Sequence, residues 1–422
     1  YNESKIGQDK ERKGVVCMIE HVTIAGGGVL GSQIAIQTAV SGFKVTIYDV
    51  VEEGLDGAKN KIEQYIPRFE KESKKDYSHD ELRQAADSIS YTTDIKEAGK
   101  EADLVIEAII EKLPVKKDFY QDLNQACPDH TLFATNTSTL LPSDFMAETG
   151  RPDQFLAIHF ANEIWHRNIA EIMRTEKTSD ESFDQAVDFA KAINMVPIPL
   201  FKEQSGYILN SLLRPFFNAG YYLLATSDSS AQDIDRAWIQ ATGAHDGPFS
   251  IVDHIGIETP KNILQDQVEA DPDQAEDWLK DTVALFESMI DKGQGGKLDG
   301  KGFYDYDGSP AFQEEGFTDQ ASDIGFKDFG QTSQDPDKNR DQAIYTRLLT
   351  SVLEGALELY VKGVSEKDTI DQVWQITRDL EWGPFSVIQE IGPDQVYQVF
   401  KDRYGDQASD LENQVLEELK NE

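Results

Sequence analysis

The first half of the chain gathers its apolar positions into short runs rich in β-branched residues: HVTIAG, KVTIYD, ISYTTD, ADLVIEAI, TLFATNT, FLAIHFA, IAEIM and VPIPL. Short apolar runs bounded by turn residues predict strands. Charged segments with helical spacing alternate with the early runs, beginning with VLGSQIAIQTAVSG directly after the first. From His21 to Asp49 the pattern therefore predicts strand, glycine turn, helix, strand. Its continuation predicts an α/β domain built on a doubly wound, mostly parallel sheet. Beyond about Phe201 the strand signal ends. From Gly206 to Lys292 apolar residues recur at amphipathic-helix spacing, so an all-α region is expected next.

That helical region is repeated. Ile234, Asp235, Trp238, Gly247, Pro248, Phe249, Ser250 and Gly256 recur 136 positions later as Ile370, Asp371, Trp374, Gly383, Pro384, Phe385, Ser386 and Gly392. A single offset held through a GPFS block marks a duplication, so two related helical domains are expected. Between them, Asp307 to Arg340 is rich in Asp, Gln, Gly and Ser, with Pro310 and Pro336, and reads as a linker or surface excursion. Its Phe312, Phe317, Phe326 and Phe329 suggest a segment that packs onto the body. The expected layout is an extension over 1–17, a nucleotide-binding domain over 18–203, a first helical copy over 204–306, the linker over 307–340 and a second copy over 341–422. Residues 1–16 are polar and charged, without the apolar core of a secretory signal, and Met18 is a candidate natural start.

Charge narrows the partners. Asp and Glu total 77 against 40 Lys and Arg, a formal net charge of −37. Such a field repels a phosphate backbone, so nucleic acid is not expected as a partner, and no apolar run is long enough to span a membrane. One reading of the charge is a highly soluble surface. Another is adaptation to high intracellular salt, which would screen the self-repulsion. Cys17 and Cys127 are the only cysteines, giving neither a disulfide framework nor metal-ligand spacing, in keeping with a reducing cytoplasm.

The turn Gly26-Gly27-Gly28-Val29-Leu30-Gly31 carries the first candidate chemistry. A GxGxxG alone is weak evidence, and a glycine turn can exist without a ligand. Here it follows a strand, opens a helix, and is followed by a strand ending at Asp49. Gly26 permits the tight turn, Gly28 lets a pyrophosphate approach the backbone, and Gly31 allows close packing of helix on strand. Asp49 suits an adenosine ribose and repels a 2′-phosphate, so NAD is favoured over NADP. This makes the first domain Rossmann-like.

Taken alone, Ser138 is a turn residue, Asn210 a polar helix residue and His159 a histidine near a strand end. Together with Glu171 they lie in blocks that resemble the 3-hydroxyacyl-CoA dehydrogenase family. The blocks are the glycine turn with Asp49, VIEAIIEKLPVKK, ATNTSTL, AIHFAN followed by AEIM, SGYILN, GPFSIVDHIG and GKGFYDY, spanning about residues 20–306. The repeat over about 343–400 resembles a second copy of the family's C-terminal domain. The resemblance implies that His159 is the general base, that Glu171 orients it, and that Ser138 and Asn210 hydrogen-bond the substrate oxygen. It also implies cofactor contacts from Glu111, Lys116, Asn136, Ser138 and Asn162. The reaction implied is NAD-dependent, reversible oxidation of an L-3-hydroxyacyl-CoA to the 3-oxoacyl-CoA. Imidazole, which titrates near neutrality, can take the hydroxyl proton as hydride leaves for the nicotinamide. Lys59 and Lys61 are candidates to receive the phosphates of an acyl-CoA.

Two departures from the family's pattern stand out. Glu163-Ile164-Trp165-His166-Arg167 replaces a proline-rich turn after the histidine block, and Leu298 precedes DGKGFY where the family often has Lys. The first is expected to alter the rim of the site and the choice of acyl group. Alternative functions are dehydrogenation of a small free hydroxy acid and a catalytically silent NAD-binding structural role. Single-copy members resemble dimers that pair through the helical domain, so the second copy is expected to stand in for a mate. The chain would then be a pseudo-dimeric monomer or a homo-oligomer. The counterpart of Asn210 in that copy is Thr346, which lacks the carboxamide.

Overall fold

The computed structural model describes residues 19–306, 324–405 and 408–421. The expected extension, together with Pro310, Phe312 and Phe317 of the linker, lies outside the described residues. The chain divides into two compact units at Pro197/Ile198.

All eight apolar runs form strands: β1 (His21–Ala25), β2 (Lys44–Tyr48), β3 (Ser90–Thr92), β4 (Leu104–Glu107), β5 (Leu132–Thr135), β6 (Phe155–Phe160), β7 (Ile169–Arg174) and β8 (Val196–Leu200). Their order in one sheet is β3-β2-β1-β4-β5-β6-β7-β8. Pairs from β3 through β6 are parallel, whereas β6 and β7 are antiparallel. The chain leaves β1 toward β2 and β3 on one side and takes up β4 on the other. This reversal opens a crevice at the carboxyl ends of β1 and β4, the place where such sheets hold ligands.

Apolar cores cover both faces of the sheet, as parallel strands require. Val22, Ile24, Val45 and Ile47 face the helix Val29–Val40, which is buried from Gly31 to Ala39. On the other face Ala25, Val105 and Phe133 meet Tyr120, Phe145 and Phe155. The helix Glu52–Glu72 follows β2 despite Pro67 in its interior, and His79–Ser88 starts at a capping box of Ser78 and Glu81.

The second unit explains the repeat. Asp235, on the helix Ala231–Thr242, accepts the amides of Phe249 at 2.9 Å and Ser250 at 2.8 Å. It thereby caps the helix Pro248–Ile255. In the second copy Asp371 accepts the amides of Phe385 at 2.7 Å and Ser386 at 2.9 Å. A methyl at Gly247 or Gly383 would stand 2.5 or 2.4 Å from those aspartates, so the GPFS block repeats because the cap needs both the carboxylate and the missing side chain. Asp253 similarly accepts the amides of Phe303 and Tyr304, each at 2.9 Å, which anchors the GKGFYDY block.

The copies pack through their long helices, Leu209–Thr226 and Pro336–Val361. A methyl at Gly355 would lie 2.9 Å from the Ser211 carbonyl oxygen. Pro215, lacking an N–H, leaves that carbonyl without its helical donor. Phe216 sits between Trp238 at 4.8 Å and Trp374 at 6.1 Å.

Pro336, counted with the linker for its turn-forming character, instead occupies the first helical turn. Asp335 caps it by accepting the amides of Asp337 and Lys338. Phe326 meets Trp382 edge-on at 5.4 Å, and Phe329 is buried against Tyr345. Thr346, the counterpart of Asn210, accepts the Gly330 amide. Among the described residues no helix is long and apolar enough to cross a membrane.

Candidate active site

Beyond β1 the chain turns at Gly26, whose φ of +110° lies in the region that favours glycine. A methyl there would sit 2.5 Å from the Ala108 oxygen, one at Gly27 2.6 Å from the Gly54 oxygen, and one at Gly31 2.0 Å from the Gly26 oxygen. Gly28 meets nothing within 4 Å. It precedes a helix with no side-chain cap and no acid in its first turn, where Val29 is exposed and Leu30 half-buried. Those free amides and the positive helix end suit a pyrophosphate. Asp49, at the end of β2, accepts the Gly27 amide at 2.9 Å, which holds its carboxylate beside the turn. The sequence gives no role to Gly27 within the turn and no sign of Gly54. A methyl on Gly54 would meet the Asp49 carboxyl carbon at 2.4 Å, a closeness that only the fold reveals.

An ion network, buried at Glu107 and Lys116 and open to solvent at Glu111, begins at the end of β4. Glu107, also unnoticed in the sequence, accepts from Lys116 at 2.6 Å and from Thr135 at 2.8 Å. The Lys116 ammonium reaches Glu111 as well, at 3.1 Å. Glu111 in turn accepts the amides of Ser138 at 3.0 Å and Thr139 at 3.1 Å, and the Thr137 hydroxyl. Burial alone would raise the Glu111 pKa, but the Lys116 charge and these hydrogen bonds outweigh it and bring it to about 2. Glu111 and Lys116 thus brace the loop that carries Ser138. Asn136 braces its near end, its side-chain oxygen accepting the Phe160 amide at 3.0 Å, while Asn162 is exposed just past β6.

His159 is the fifth residue of β6 and Glu171 the third of β7. The antiparallel register sets them directly opposite each other. Their meeting is therefore a cross-strand pair within the sheet, and His159, near a strand end by sequence, lies inside β6. His159 Nδ1 lies 2.8 Å from Glu171 Oε2, and Nε2 lies 3.2 Å from Ser138 Oγ. His159 is 4% exposed and Glu171 fully buried. With an ionised carboxylate, which only accepts, facing Nδ1, the neutral tautomer that fits carries its proton on Nδ1 and presents the Nε2 lone pair toward the Ser138 hydroxyl. The arrangement can receive a proton at Nε2 and compensate the resulting imidazolium at Nδ1.

The loop from β6 to β7 carries the segment that departs from the family. Ile164 and Trp165 are buried, Trp165 packing 5.3 Å from Phe69. Gln33 accepts the amides of Glu163 and Ile164, and Arg68 pairs with Glu163. The two large apolar residues of this segment anchor the loop to the core. Asn210 lies in the second unit, the second residue of the helix Leu209–Thr226, with its amide donating to the Gly206 oxygen. Lys59 pairs with Asp56 and sits over the Tyr91 ring. Leu298 is fully exposed in a short 3₁₀ turn.

The NAD-binding domain of 3-hydroxyacyl-CoA dehydrogenase matches residues 21–204, and its C-terminal domain matches 206–306 and again 344–422. Mitochondrial hydroxyacyl-coenzyme A dehydrogenase of Rattus norvegicus is 34% identical over 292 residues, covering 68% of this chain and 92% of the relative. The chain belongs to the 3-hydroxyacyl-CoA dehydrogenase family. It is an NAD-dependent oxidoreductase. Among solved structures, a diketoreductase described as a catalyst for dicarbonyl compounds is 45% identical, with a TM-score of 0.64, over 68% of this chain and 99% of its own. The 3-hydroxybutyryl-CoA dehydrogenase of Escherichia coli K12 shares the fold of nearly the whole dehydrogenase, second helical copy included, with a TM-score of 0.77 at 21% identity over 96% of this chain and 99% of its own.

Proposed function

We propose that this dehydrogenase interconverts an L-3-hydroxyacyl-CoA and its 3-oxoacyl-CoA, with His159 as the proton acceptor and Glu171 as its orienting partner. The Ser138–His159–Glu171 chain of hydrogen bonds carries the reading. NAD supplies the hydride acceptor for the carbinol carbon. The substrate hydroxyl takes up the hydrogen bond that Ser138 now directs at Nε2, and its proton passes to that nitrogen as the carbonyl forms. Glu171, buried and 2.8 Å away, compensates the imidazolium. Family likeness assigns Asn210 the second hydrogen bond to the reacting oxygen. It also supports cofactor contacts from the turn Gly26–Gly31, Asp49, Glu111, Lys116, Asn136, Ser138 and Asn162.

His159→Ala should lower kcat by about 10²–10⁴, the usual worth of a general base, with NADH affinity unchanged. Turnover near the parent rate rejects the role.

The 45% identity to a diketoreductase favours a second reading, in which the substrate is a free dicarbonyl or hydroxy acid without CoA. Following NADH consumption with acetoacetyl-CoA, free acetoacetate and a neutral 1,3-dicarbonyl separates the two. The first reading expects acetoacetyl-CoA to have the highest kcat/KM, and the opposite ranking selects the second.

A further inference from the structure

A cavity of about 310 Å³ opens where the two helical copies meet. Three arginines line it: Arg214 from the helix Leu209–Thr226, Arg347 from Pro336–Val361 and Arg403 from Pro393–Tyr404. One carboxylate, Glu276, joins them, and it already accepts the Trp278 indole N–H at 2.8 Å. A cationic cavity is unexpected in a chain with nearly twice as many acids as bases.

Two of these cations, Arg214 and Arg347, are poorly satisfied. Arg214 is exposed and has no ion pair among the described residues, and the buried Arg347 Nε has no acceptor. Arg347 instead lies 3.7 Å over the Tyr222 ring. Arg403 is paired with Glu354 at 2.9 Å. Burial and the neighbouring Arg403 both work against the Arg347 charge. Leaving a buried guanidinium N–H without an acceptor is costly, and an anion in the cavity offsets the charge of the guanidinium that bears it.

Duplication makes the cavity one-sided. At the 136-position offset, Arg214, Arg347 and Arg403 correspond to Thr350, Ser211 and Gln267, none of them charged. The cationic set is therefore assembled from both copies and is not repeated between them.

We propose that this cavity binds a nucleotide-like organic phosphate, its phosphate held by Arg214, Arg347 and Arg403 and its ring or sugar set against Tyr222 and Trp278. Guanidinium forks match phosphate oxygens two at a time. The volume lies at the small end of ligand pockets and leaves room for more than the phosphate group itself.

Calorimetric titration of the full chain, with NADH saturating so that the dinucleotide turn is filled, tests this without requiring turnover. Adenosine 3′,5′-bisphosphate should bind once per chain, inorganic phosphate at least tenfold more weakly, and adenosine not measurably. Arg214→Gln, at an exposed position, should weaken the bisphosphate at least tenfold with an unchanged Tm, and Arg347→Gln should weaken it likewise. Absence of binding, parent-like affinity in Arg214→Gln, or equal affinity for inorganic phosphate overturns the proposal. Competition by CoA would assign the phosphate to a CoA ligand, and lack of competition to a free nucleotide. In either case the site stands independently of the role given to His159.

Discussion

Glu171 and Asp235 are both buried carboxylates, but one faces an imidazole and the other the amides at a helix start. In the proposed reaction the first compensates the charge that develops on His159. Among the described residues Asp235 has no cation to share charge with: burial raises its pKa to about 7, opposed only in part by the Phe249 and Ser250 amides and the Tyr304 hydroxyl. In the unfolded chain the same group titrates near its ordinary value of 3.8. Folding therefore takes up a proton between those values, so this contribution to stability is full below the unfolded pKa and lost as pH rises through about 7. Asp235→Asn removes the dependence. The stability advantage of the parent over this variant, read by urea unfolding, should shrink by on the order of 2 kcal/mol from about pH 5 to about pH 8. An advantage that grows over that interval contradicts the account. The sequence made Asp235, Gly247 and Ser250 visible as repeated residues. It did not make their roles visible, because the cap depends on Asp235 lying where a methyl on Gly247, twelve positions on, would stand 2.5 Å from its carboxyl carbon. The same holds for Glu107, whose buried partners come from a following helix and the neighbouring strand.

At the scale of elements, β-branched runs were enough to find every strand among the described residues, because a parallel sheet covered on both faces demands continuous apolar stretches. Direction was not legible. An apolar run reads the same either way along the sheet, so the antiparallel turn from β6 to β7, which sets His159 opposite Glu171, emerged only in three dimensions. The glycine turn was legible as a motif, but its glycines divide by function in a way that spacing does not show. Gly31 is needed by the fold, since a methyl there would sit 2.0 Å from backbone oxygen, whereas Gly28 at φ −69° faces open space. Gly28→Ala should then leave Tm within about 2 °C of the parent while weakening NADH at least tenfold, because the methyl occupies the path of the pyrophosphate. Gly31→Ala should destabilise the chain by about 3 kcal/mol or more by forcing helix and strand apart. A melting series with fluorescence titration of NADH checks both. Equal loss of stability in the two variants would show that Gly28 serves the turn and not the ligand.

For the whole molecule, the 136-position repeat disclosed two copies, and the packing shows what the second does for the first. Leu348, Leu349, Val352, Leu353 and Ala356 are all fully buried on the long helix of the second copy, and Gly355 lets that helix close onto the backbone of Leu209–Thr226. A helix so apolar on one face needs a partner of its own kind, and here the same chain supplies it. The net charge of −37 adds a reason for an internal partner: two such chains repel each other before their apolar faces meet, above all at low salt. The full chain is accordingly expected to run as a monomer in light scattering at both low and molar KCl. A truncation ending at Tyr306 leaves Leu212 and Phe216, now at most 1% exposed, without their cover, and should self-associate or lose its cooperative unfolding. A full chain that is an obligate dimer through its first copy, or a truncated chain that stays monomeric with an unchanged Tm, would show that the second copy does not take a mate's place.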